Sequence, residues 1–160
     1  MLQRRSFLFK LQIIQFTGIL TDLHSWMEMI GLVRDNFPGL DTAELLEGYR
    51  QNVIKNINRR SAICAVKDGE VVGLMLFSYN AKCLSCMAVH PGHRRQGIAS
   101  AMIGLLLALF PEDTEISVTT FRAEDEKGVA PRPLYKKFGF VEAELTEEFD
   151  YPHQKFILKL

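Results

Sequence analysis

VHPGHRRQGIASAMIGLLLAL, residues 89–109, joins the end of a strand to an apolar helix through a loop with two glycines and two arginines. The first N–H groups of a helix have no intrahelical acceptor, and the helix dipole makes that end favourable for negative charge. Gly92 and Gly97 allow a tight turn and close backbone approach to a ligand. Arg94 and Arg95 add guanidinium groups suited to phosphate oxygens. The segment therefore reads as an anion site over Arg94, Arg95, Gln96, Gly97, Ile98, Ala99 and Ser100. A solvated loop with a capping glycine is the competing reading. The chain has no G-x-x-x-x-G-K-[ST] and no G-x-G-x-x-G, so neither a nucleotide P-loop nor a dinucleotide fingerprint is supported.

Working outward, Leu11–Phe16 reads as a strand. In TDLHSWMEMIGLVRDNF (21–37), Leu23, Trp26, Met27, Ile30 and Val33 recur at helical spacing, with Thr21 or Asp22 as cap. FPGL (37–40) breaks the chain, and Asp41 is placed to cap a second helix to about Ile57, with Leu45, Leu46, Tyr49, Val53 and Ile57 on its apolar side. The period then changes. SAICAVKDGEVVGLMLFSYN (61–80) predicts two strands joined at Asp68-Gly69, a hairpin pair whose turn needs positive φ at both residues. CLSCMAV (83–89) is a further strand, the helix from about Gly97 to Leu109 ends before Pro111, and EISVTTF (115–121) is a strand. PRPLYKKF (131–138) is a short helix stopped near Gly139, and FVEAEL (140–145) and QKFILKL (154–160) close the order β-α-α-β-β-β-α-β-α-β-β. That order predicts an α/β or α+β fold, a mixed sheet with helices on its faces.

The chain has 160 residues, 48% of them hydrophobic, which suits one domain with its own core. Nineteen Lys+Arg balance nineteen Asp+Glu, so bulk charge does not point to nucleic acid. Cys64, Cys83 and Cys86 form no disulfide framework; with a single C-x-x-C inside a strand, they read as reduced thiols, without a metal site, in a cytoplasmic protein. The apolar core of the helix after the loop is too short to span a bilayer, and the first residues lack the pattern of a signal peptide, so no membrane association is expected. MLQRRSFLFK (1–10) reads as a possible extension before the domain.

Two motifs together resemble one family. Arg94-Arg95-Gln96-Gly97-Ile98-Ala99 is similar to the R/Q-x-x-G-x-G/A of motif A in the GCN5-related N-acetyltransferases (the GNAT superfamily). PLYKKFGF (133–140) resembles their motif B, about forty residues on with one strand between. The resemblance covers nearly the whole chain as one domain. It implies a mostly antiparallel central sheet with helices on both faces. It also implies acetyl-CoA, with its pyrophosphate on the amides of Arg94 to Ser100. The pantetheine arm would pair with backbone groups of Met87 and Val89, where the motif A strand splays at a bulge. Tyr135 matches the tyrosine near the CoA sulfur, as a proton donor to the thiolate or a packing residue. Lys137 is a candidate for the nucleotide phosphates, while Lys136 reads as solvated. The implied activity is transfer of the acetyl group to a primary amine of a small molecule or peptide in a ternary complex. The rival is a non-catalytic acyl-CoA sensor; a homodimer is a further expectation.

The chain departs from the family at Gly128, where many members carry asparagine. CLSCMAV also has no carboxylate to serve as base, which leaves Glu70, Asp150, His90 and Tyr79 as weak candidates. Trp26, Met27, Met29, Phe37 and Tyr49 read as core or as acceptor wall. The acidic ELTEEFD (144–150) reads as a solvated face.

Overall fold

The computed structural model describes residues 14–160. A seven-stranded sheet runs β1-β2-β3-β4-β5-β7-β6, with strands β1 (Gln15–Thr17), β2 (Ala62–Lys67), β3 (Glu70–Ser78), β4 (Cys83–Val89), β5 (Glu115–Phe121), β6 (Val141–Glu148) and β7 (Tyr151–Lys159). Every neighbouring pair is antiparallel except β4–β5. Helices α1 (Leu23–Val33) and α2 (Ala43–Asn58) cover one face, and α3 (Ile98–Ala108) and α4 (Pro131–Lys137) the other. This is the mixed, mostly antiparallel α/β arrangement that the sequence predicts. Of the predicted first strand, Leu11–Ile13 lies outside the described residues, as does the 1–10 extension.

Asp68 (φ 51°) and Gly69 (φ 78°) form the central pair of the β2–β3 turn, with Lys67 opposite Glu70. The strand that follows is buried from Val71 to Phe77 because both its faces carry helices. In α1 the buried stripe is Trp26, Met29, Ile30 and Val33; Met27 is only half-buried. The predicted caps shift. Asp22 turns its carboxylate back to accept from Thr17 Oγ1 (2.7 Å) and Ile19 N (3.1 Å) rather than capping α1. Thr42, not Asp41, caps α2 by accepting from Leu45 N at 3.1 Å. Leu45 is exposed, so the packed side of α2 begins at Leu46. The two C-terminal strands are longer than predicted and meet at Phe149-Asp150, with Pro152 inside β7. That proline lies past the end of β5, opposite only Glu147 of β6, where a missing N–H on one side breaks no ladder.

Candidate active site

β4 and β5 pair only through Cys83↔Ser117 and Leu84↔Val118. The next residue, Ser85, is an extra one: Leu76 faces Cys86 while Phe77 faces Leu84, so the ladder to β3 carries a bulge there. Beyond it β4 stays paired with β3 and parts from β5. His90 N–H donates to Val72 O at 2.8 Å, so by alternation Ala88 and Cys86 also turn their amides toward β3. Met87 and Val89 therefore direct their backbone groups into the open gap. Their side chains join the core under α3 and α4, while Cys86 and Ala88 face α1 and α2.

The gap leads into the loop. After one turn of 3₁₀ helix (Pro91–His93), Arg95 (φ 61°) and Gly97 (φ 80°) take left-handed conformations. Ala101 N–H makes the first helical bond, to Gly97 O at 3.0 Å, so the amides of Ile98, Ala99 and Ser100 lie ahead of it at the helix mouth. Two contacts hold this geometry. His90 Nδ1 accepts from Gly92 N at 2.9 Å. Gly73 in β3 leaves room for α3: a Cβ there would lie 2.6 Å from Ile98 Cγ2 and 3.2 Å from Met102 Cε. Arg94, Arg95, Gln96 and Gly97 are exposed, Ile98 is buried, and Ala99 and Ser100 are half-buried. Neither arginine forms an ion pair among the described residues.

Tyr135 lies in the same core as Met87, Val89 and Ile98. Its ring meets Phe140 edge-on at 5.7 Å and Phe156 at 6.3 Å. Burial, with a smaller contribution from nearby Cys86, raises the phenol's pKa, so the O–H keeps its proton at physiological pH. The anchor of its helix is a residue the sequence reading passes over. Arg132, buried one turn earlier, donates to Phe121 O (3.0 Å), Gln154 Oε1 (2.9 Å) and Glu142 Oε1 (2.6 Å), and lies over the Phe156 ring. Its only sequence signal is its i, i+3 spacing from Tyr135. Arg132 also accounts for Gly128: a Cβ there would meet Arg132 Cδ and Arg122 O at 2.9 Å each, so no asparagine fits. Lys136 pairs with Glu142 at 2.7 Å and Lys137 is exposed in the last turn of α4.

On the other face of β4, Trp26 Nε1–H donates to Tyr49 Oη (3.0 Å), which lies 3.6 Å from Cys86 Sγ. Burial pushes the Cys86 thiol up to about 11, so it stays protonated and unreactive. Trp26 and Met29 are core, whereas Met27 and Phe37 each line a hollow. One, of about 480 Å³, lies between α1 and α2. The other, of about 330 Å³, lies between the α1–α2 connection and the β6–β7 turn, beside Phe37, Lys127, Phe149 and Tyr151. Among the weak base candidates, Glu70 and Asp150 are exposed at turns, Tyr79 is exposed, and His90 is committed to Gly92.

The model of the acetyltransferase (GNAT) domain matches residues 58–142, which hold the gap, the loop and Tyr135. The chain belongs to the GNAT acetyltransferase family. No curated protein matches it by sequence. Among solved structures it is similar to a GNAT-family acetyltransferase of Bacillus cereus (TM-score 0.70, 20% identity, 91% of this chain and 96% of that one). It is also similar to Arabidopsis thaliana Naa50 bound to the bisubstrate analogue CoA-Ac-MVNAL (TM-score 0.68, 14% identity, 92% and 99%). An agmatine N-acetyltransferase gives TM-score 0.68 at 12% identity, over 92% and 100%. At these identities the likeness is one of fold. No helix among the described residues is long and apolar enough to cross a membrane.

Proposed function

We propose that this GNAT-family protein is an N-acetyltransferase that takes acetyl-CoA and a primary amine, of a small molecule or a peptide, in one ternary complex. The observation that carries the reading is the gap between β4 and β5, edged by the amides of Met87 and Val89 and ending at the uncapped amides of Ile98, Ala99 and Ser100. An extended amide-containing arm with a pyrophosphate at one end fits that combination. Bound acetyl-CoA would supply an activated acetyl thioester for the amine, and the proton that the nitrogen sheds on becoming an amide would replace the one Tyr135 gives to the sulfur. The amides of Arg94 to Ser100 hold the pyrophosphate, with Arg94 nearer to it than Arg95 and Lys137 within reach of the nucleotide phosphates. Met87 and Val89 hold the pantetheine amides. Tyr135 keeps its proton until the sulfur needs one and donates it from the phenol O–H. The two acceptor types borne by the neighbours, the peptide of the Naa50 analogue and agmatine, are the first to try.

Release of CoA thiol from acetyl-CoA, measured with agmatine and with the peptide Met-Val-Asn-Ala-Leu, tests the reading. Tyr135→Phe should lower kcat about 100-fold while leaving CoA affinity unchanged. CoA binding without turnover of either amine would favour an acyl-CoA sensor instead.

A further inference from the structure

An amine acceptor arrives largely as an ammonium and must lose a proton before it can attack. β4 offers no carboxylate for this. One buried ionisable side chain on the face of the sheet that carries α1 and α2 has no role so far. His153 of β7 is 5% exposed. Its Nδ1 lies 2.8 Å from the carbonyl oxygen of Tyr151. A carbonyl can only accept, so Nδ1 carries the hydrogen and Nε2 of the neutral ring carries the lone pair. Nε2 has no partner among the described residues, and it is not one of the two polar side-chain atoms, His93 Nδ1 and Thr146 Oγ1, that are sealed without one. The ring is stacked on Phe121 (centroids 5.2 Å apart, planes at 29°) and meets Tyr151 at 5.7 Å.

Its place follows from the register. Phe156 and Leu158 of β7 belong to the core under α3 and α4, so His153, of opposite parity, faces the side of α1 and α2, as Cys86 and Ala88 do. His153 is the register partner of Phe121. Counting on from Leu84↔Val118, with one extra residue at Ser85, brings Phe121 level with Ala88 across the open gap. His153 thus stands one strand behind the gap, at the level where Met87 and Val89 turn their amides inward.

Charged groups of both signs stand near the ring. Asp125 accepts from the Tyr151 hydroxyl at 2.5 Å. That bond, and then the Lys127 amide, hold its carboxyl below the usual range; the charge of His153 acts in the same direction, so the two groups are within electrostatic reach. Against this stand the Lys127 ammonium, 5.2 Å from the Tyr151 ring centre, and Arg122, whose Nε donates to the carbonyl of His153.

We propose that His153 is the proton acceptor for the incoming ammonium, through Nε2, directly or across one water; this rests on the acyltransferase reading above. One N–H bond of the ammonium breaks and its electron pair stays on nitrogen as the nucleophile. An Nε2–H bond forms, and the imidazolium returns that proton to solvent once product has left.

The test begins without turnover. A long-range ¹H–¹⁵N imidazole spectrum of the free protein, with His153 assigned from its loss in His153→Asn, should show the Nδ1–H form; an Nε2–H form overturns the inference. His153→Asn keeps a donor near Nδ1 and removes the base. It should lower kcat about 100-fold on agmatine or Met-Val-Asn-Ala-Leu, with CoA affinity and melting temperature held. Should that variant fold poorly, His153→Gln is read in its place. In His153→Gly, added imidazole should restore part of the rate. An active wild type matched by His153→Asn overturns this inference alone. A wild type that binds CoA but acetylates neither amine overturns the acyltransferase reading and this inference with it.

Discussion

Gly97 holds a left-handed position that favours glycine. Its φ of 80° is left-handed, and it aims the first amides of α3 toward the gap. A β-branched residue there pays on the order of 1–3 kcal/mol in backbone strain, or moves the amides. Arg95, exposed and without an ion pair among the described residues, contributes an exposed charge worth about 0–1 kcal/mol, or up to about five-fold in affinity. Gly97→Val should therefore weaken CoA binding by more than about ten-fold, and Arg95→Ala by less than about five-fold. Equal losses in a calorimetric CoA titration would count against this ranking. The Tyr151–Asp125 bond makes a separate prediction. The folded carboxyl is more acidic than in the unfolded chain, so its stabilisation is present above the ordinary carboxylate range and is lost as pH falls through the depressed value. Tyr151→Phe should lower the melting temperature at about pH 7, and the difference from wild type should shrink as pH falls below the ordinary carboxylate range. The cofactor loop is legible from sequence because strand, glycine loop and helix start lie within about a dozen consecutive residues. Arg132 and His153 are not, because each acquires its role from strands distant in the chain, and Gly128 acquires its own only through the buried Arg132.

α3 depends on a residue outside it. Ile98 and Met102 settle onto β3 where Gly73 leaves no side chain, and this sets how near the helix mouth comes to β4. Gly73→Val would place carbon inside that contact, an overpacking that costs about 1–3 kcal/mol. Because the displaced end is the one that carries the amides, CoA affinity should fall along with stability. A variant that loses melting temperature but keeps wild-type CoA affinity would show that the loop is positioned independently of the sheet. Sequence could not single out Gly73 from the chain's eleven glycines, since its contact joins residues 25 or more apart. Hairpins show the same limit. Asp68-Gly69 announces the β2–β3 turn, as its residue types tolerate positive φ. Phe149 (φ 51°) and Asp150 (φ 59°) make the equivalent β6–β7 turn without a glycine. The Phe149 ring instead lies so close over Gly39 that a Cβ there would come within 2.7 Å of it, a tertiary contact that no local rule anticipates.

The molecule is a sheet in two parts joined by two residue pairs. β1–β4 are covered on both faces, by α1 and α2 on one side and α3 on the other, whereas β5–β7 share only the core under α3 and α4. Beyond Leu84 and Val118 the parts are held by side-chain packing in that core, through Met75, Phe77 and Leu84 on one side and Ile116, Val118 and Phe156 on the other, and on the opposite face by the Phe149–Gly39 contact and the bond from Lys127 Nζ to Asp35 O (3.1 Å). Opening of β5–β7 should therefore need less free energy than opening of β2–β3, whose strands are central and doubly packed. A ligand lying in the gap touches both parts and suppresses the motion that separates them. At about 100 times its Kd, CoA adds about 2.7 kcal/mol to stability. For a chain of this size that is a rise of about 5–10 °C in melting temperature. In native-state hydrogen exchange the gain should fall unevenly: the amides of Met87 and Val89 and those of β5 and β7 should slow more than those of β2 and β3. Gly97→Val at the same CoA concentration should show about half the thermal shift or less, with correspondingly weaker uneven protection. Uniform slowing across the sheet would mean that the two parts already open as one unit, and that the gap between β4 and β5 is a static slot rather than the joint of the fold.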